Sequence, residues 1–150
     1  PLNTWATLSI ALRKRPLRDA RQYYIVQRSN RGIKYLPTKY NNGWVSAQIR
    51  ELGDSYTVET DNTAPTVTPV GIGGWNKSHV LRYFISDAKS GIKKYKGKID
   101  GKFVLFTNLG GGLTCNLADT PVKKGGTHTI EMYAEDNCGN QKTDRRTFIY

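Results

Sequence analysis

At 150 residues the chain is long enough for one ordinary domain or two small ones, and no apolar run approaches the length that spans a bilayer. Its 23 Lys and Arg against 12 Asp and Glu leave a formal charge of +11. Such a surface suits nucleic acid, anionic lipid or acidic glycan, and equally a protein that is simply basic. Ten basic residues face five acidic ones up to position 62, and thirteen face seven beyond it, so no basic tail stands out. Two cysteines, Cys115 and Cys138, are too few for a disulfide scaffold and admit either one bridge or two free thiols. The chain opens at Pro1 without a Met or a charged-then-apolar leader, and it reads as a strand already under way, as in a fragment or a processed product.

In chain order, Leu2–Leu12 alternates, with Ala6, Leu8, Ile10 and Leu12 on one face and Trp5, Thr7 and Ser9 on the other, which predicts a strand. Arg13–Arg21 is a basic loop in which Pro16 blocks regular structure. Gln22–Arg28 is aromatic and β-branched, a second strand. After a turn at Ser29–Gly32, Ile33–Leu36 forms a short strand ending before Pro37. Asn41–Gly43 is a turn, and Trp44–Arg50 alternates again, with Val45, Ala47 and Ile49 opposite Trp44, Ser46 and Gln48. Tyr56–Glu59 follows the turn at Leu52–Asp54. The polar stretch Asp61–Pro65 then reads as a domain boundary.

Seven strands are predicted beyond it: Thr66–Val70, His79–Ser86, Ile92–Ile99, Lys102–Thr107, Leu113–Leu117, Thr127–Glu135 and Gln141–Tyr150. Gly71–Ser78 is a Gly-rich loop holding Trp75. Asp100-Gly101 is a two-residue hairpin turn, since both positions require positive φ; pairing Ile99 with Lys102 sets Tyr95, Gly97, Ile99, Val104 and Phe106 on one face and Lys94, Lys96 and Lys98, with Phe103 and Leu105, on the other. Many short strands with frequent turns and no helical period give an all-β chain of two small β-sandwich modules, 1–62 and 63–150. The second is immunoglobulin-like. The first has few strands for an independent core, which leaves two readings: it is incomplete at its N-terminus, or it leans on the second module.

Chemistry is sparse. His79 and His128 are the only histidines, and a catalytic zinc needs about three converging ligands; His128 lies in register with Ile130 and Met132 and reads as packing, His79 as surface. Asp87 and Asp136 fall in turns at one end of the predicted sandwich. With Asn137 or Asn140 they offer oxygens for Ca²⁺, although Asp and Asn ordinarily bond their own turns. No nucleophile motif is present, and the runs at 71–74 and 110–112 lack the ending of a phosphate loop. Binding candidates are Arg13, Lys14, Arg15 and Arg18 of the basic loop and the row Lys94, Lys96 and Lys98, whose plain role is to solvate a strand. Trp75 and Trp44 are candidates to stack on sugar rings, with core packing the other reading of Trp44.

The combination of APTVTP, SDAKSGI, KGKIDGKFVLF and HTIEMYAEDNCGN resembles the C-terminal immunoglobulin-like region of lysostaphin-type zinc metallopeptidases, the peptidoglycan endopeptidases of Gram-negative anaerobic gut bacteria. PLNTWATLSI, QYYIVQR, GWVSAQIRELG and YTVETDNTAP resemble the β-sandwich module before it. The resemblance implies an extracytoplasmic location, in periplasm or envelope, and an upstream peptidase domain in the same polypeptide. Neither histidine matches that family's zinc-ligand spacings, so no catalytic, metal or cofactor residue is carried over. The expectation is a non-catalytic accessory region that contacts cell-wall or envelope glycan. The alternatives are a free-standing adhesin or carbohydrate-binding module and, on charge alone, a nucleic-acid binder.

Overall fold

The structure, a computed structural model, describes residues 2–13 and 19–150. Lys14, Arg15 and Arg18 lie outside the described residues; Arg13 is exposed. The chain divides into two compact units, one of residues 1–63, 88–91 and 137–140, the other of 64–87, 92–136 and 141–150. Both are all-β. No helix among the described residues is long and apolar enough to cross a membrane.

The first unit contains β1 (Ala6–Ala11), β2 (Tyr23–Ser29), β3 (Gly32–Leu36), β4 (Lys39–Asn41), β5 (Trp44–Ile49) and β6 (Ser55–Thr60). They form two antiparallel three-stranded sheets, β1-β5-β4 and β3-β2-β6. The inward positions of β1 and β5 follow their alternation, and Val45, Ala47 and Ile49 bury with Tyr23, Ile25 and Leu36. Strand β4 went unpredicted. It is three residues long and exists because Asn42 and Gly43, both at positive φ, turn the chain back onto β5. Strand β2 is buried on both faces: Tyr24 and Val26 form a second small cluster with Cys138.

The turns at 88–91 and 137–140, expected in the second module, pack with the first unit because their polar groups bond there. Asp61, fully buried, accepts the Ser90 N–H at 3.1 Å, and its carbonyl accepts Asn140 Nδ2 at 3.2 Å. Asn137 Nδ2 in turn donates to the Ser90 carbonyl at 2.8 Å.

The second unit contains β7 (Thr66–Pro69), β8 (Val80–Ser86), β9 (Ile92–Ile99), β10 (Lys102–Val104), β11 (Thr107–Asn108), β12 (Leu113–Asn116), β13 (Thr127–Asp136) and β14 (Gln141–Ile149). The sheet orders are β11-β12-β8-β7 and β10-β9-β13-β14, all antiparallel, the arrangement of an immunoglobulin-like sandwich. The hairpin register is as read, Ile99 opposite Lys102, with Asp100 at φ 49° and Gly101 at 78°. The continuous strand expected over Lys102–Thr107 is instead two short strands on different sheets. The chain crosses between sheets here with Val104 and Phe106 both buried, so the alternation survives a break that it does not reveal. The expected loop Gly71–Ser78 contains a helical turn at Trp75–Ser78. Leu81, Tyr83, Ile99, Leu117, Ile130 and Met132 fill the core around it.

Candidate functional site

Most of the residues singled out by sequence are in structural use. Trp75 is a correction: it is 1% exposed, its indole N–H donates to the Val70 carbonyl at 2.9 Å, and its ring meets Tyr83 and Phe148. It therefore stacks on no ligand. Lys94 and Lys96 of the lysine row are exposed and Lys98 is half-buried; the row lies beside β13, where Lys94 is opposite Glu135 and Lys98 opposite Glu131. Lys94 Nζ sits 3.0 Å from Glu135, and Lys96 Nζ lies over the Phe103 ring at 5.9 Å. The Tyr133 hydroxyl, 2.5 Å from the Glu135 carboxylate, and the two ammonium groups of Lys94 and Lys93 hold that carboxyl down to about 2.

His128 packs as expected, its ring 5.6 Å from that of Phe148. Its Nδ1 lies 2.7 Å from Asp100 Oδ2, and this bond, followed by the Thr129 N–H, lowers the Asp100 carboxyl below its usual range. The same aspartate thus makes the turn and ties it to β13. His79 is half-buried against Tyr150 rather than at the surface, and it caps the helical turn in place of opening a strand. Asp87 and Asp136 do come together, each with a carboxylate oxygen within 4.8 Å of the other's. Each carboxylate can offer one or two of the six to eight oxygens that Ca²⁺ takes. No disulfide joins Cys115 and Cys138, the bridge left open by sequence. Cys115 is buried among the core of the second unit, and Cys138 is buried beside Tyr24 and Val26 in the first, its thiol 3.5 Å from the Gln22 carbonyl oxygen.

A further exposed surface, among the described residues, is the outward face of β1, β5 and β4. Its rows follow from the register. Ala11, Trp44 and Asn41 make one end; Ser9, Ser46 and Lys39 follow, then Thr7 and Gln48. Trp5 and Arg50 close the other end, with the guanidinium 5.4 Å from the indole centroid. Trp5 is 60% exposed and Trp44 50%, which decides the alternative for Trp44 against core packing. Between them the polar side chains are locked in pairs: Ser9 Oγ to Ser46 Oγ at 2.8 Å, and Gln48 Nε2 donating to Thr7 Oγ1 at 2.9 Å. The other side of the same strands is core, so the face is fixed by packing beneath it. Sequence reasoning placed Trp5 outward and went no further. The usable signal was a tryptophan at the start of each of two alternating strands; antiparallel pairing sends two such starts to opposite ends of one face.

The family model of the Zu5-like domain matches residues 1–61, so the stretch that carries this face is similar to that domain. No curated protein matches the chain.

Proposed function

We propose that this chain is a non-catalytic binding region that holds an attached peptidase domain against cell-wall glycan outside the cytoplasm. The observation that carries the reading is the pair of exposed indoles, Trp5 and Trp44, on one rigid sheet face. Scattered exposed apolar residues are ordinary, but two tryptophans aligned on a polar face form a surface with few uses besides stacking. The resemblance to the tail of peptidoglycan endopeptidases supports the same reading, and a chain of net charge +11 suits the acidic groups of a bacterial envelope.

Co-sedimentation of the purified chain with isolated peptidoglycan tests it, with soluble neutral polysaccharide and DNA run beside it. Retention on peptidoglycan that persists at moderate salt is the expected result. Retention on neutral polysaccharide alone favours a free-standing carbohydrate-binding module or adhesin. Binding to DNA that collapses steeply as salt rises favours the nucleic-acid reading.

A further inference from the structure

The outer face of β1, β5 and β4 has the dimensions and chemistry of a track rather than of a single pocket. Six residue steps of extended chain lead from Trp5 to Ala11, the register partner of Trp44, so the two tryptophan positions stand about 20 Å apart along the strands. That span is several linked sugar rings. A pyranose presents faces of polarised C–H groups, which the electron-rich face of an indole attracts as it does a cation.

We propose that this face is a linear platform for an extended glycan strand whose sugars carry carboxylates, with Trp5 and Trp44 as its end subsites. The proposal rests on the cell-wall reading above and names the face and the form of ligand. The middle of the track supplies the hydrogen bonds. Each serine hydroxyl has one donor and two acceptor positions, and the Ser9–Ser46 bond uses only part of that capacity. Gln48 spends one N–H on Thr7, leaving its other N–H and its carbonyl to a ligand. These side chains are already ordered by each other, so a ligand does not bear the cost of ordering them.

Charge selects within the class. Arg50 stands at the Trp5 end, Lys39 lies beside Ser46, and no outward residue of β1, β4 or β5 is acidic. The row of Ser, Thr and Gln also suits a hydroxylated ligand better than the apolar core of a protein interface.

Calorimetry of the whole chain with peptide-free peptidoglycan glycan strands, fractionated by length, is the test. Affinity should rise with length until a strand reaches both indoles and then level off. Trp5→Ala and Trp44→Ala should each weaken the longest strands by roughly tenfold and flatten the length dependence, and the double variant should bind no strand measurably. Arg50→Gln should weaken native strands more than carboxyl-reduced ones. Thermal melts of the variants should match the parent, since both rings are outside the core. Full-affinity binding by the double variant overturns the platform while leaving the cell-wall reading intact; failure of the parent chain to bind peptidoglycan at all overturns both. A single-stranded oligonucleotide of the same span binding as tightly as the glycan also overturns the proposal, since that ligand uses stacking and cations as well.

Discussion

The three tryptophans show how one residue type takes opposite roles. Trp75 fills the second unit's core and satisfies its one polar atom on Val70, whereas Trp5 and Trp44 stand outward. Trp75→Ala is expected to cost about 3–5 kcal/mol in urea denaturation, the range of a large aromatic truncated in a packed core. Trp44→Ala is expected within about 0.5 kcal/mol of the parent. Glu135 carries the clearest pH dependence. Held by the Tyr133 hydroxyl and then by Lys94, it titrates at about 2 in the folded chain, against about 4.3 for a free glutamate. A carboxyl whose folded value is depressed contributes stability that is complete above the unfolded value and is lost as pH falls through the folded one. Denaturation midpoints should therefore decline as pH is lowered from about 4.3 toward about 2. Glu135→Gln should make that decline shallower.

At the level of the element, the β9–β10 hairpin shows what a missing side chain does. Gly97 faces inward opposite Met132, and a Cβ there would stand 2.5 Å from the Phe106 ring. The glycine leaves room for the aromatic that enters just where the chain changes sheets. Gly97→Ala should destabilise the fold by about 1–3 kcal/mol through overpacking. Phe106→Leu in the same chain should recover part of that loss, which neither substitution alone would suggest. The turn at Asp100-Gly101 and the inward set Gly97, Ile99, Val104 and Phe106 were legible because a type of turn sets the register and the register sets the faces; Tyr95, read on the same face, is instead 41% exposed, since alternation gives the face and not how far along the strand the core extends. The break after Val104 was not, because alternation reports only which way side chains point. A strand that moves to the facing sheet keeps pointing its apolar residues at the same core.

Across the whole chain the two thiols report on two cores. Burial pushes the Cys115 thiol up to about 11, away from the reactive thiolate. A thiol reagent is expected to leave the native chain unlabelled over minutes and to titrate both cysteines in denaturant without any reductant. Labelling of neither in denaturant would show that they are bonded. The lysine row belongs at this scale too. As a sequence it was a run of like charge; in the sheet, its neighbours on β13 are Glu131, Tyr133 and Glu135, so part of the net charge is balanced where it stands.

The sequence by itself determined the all-β class, most strand positions, the hairpin register, and which side of β1, β5 and β13 faces the core. These depend on a period of two and on local turn chemistry, both carried by neighbouring residues. Only the tertiary structure decided which tryptophans are buried, which sheet each strand joins, and that Trp5 and Trp44 share a face. Those facts are set by pairing between segments some forty residues apart, and alternation fixes the face a side chain takes without naming the strand beside it.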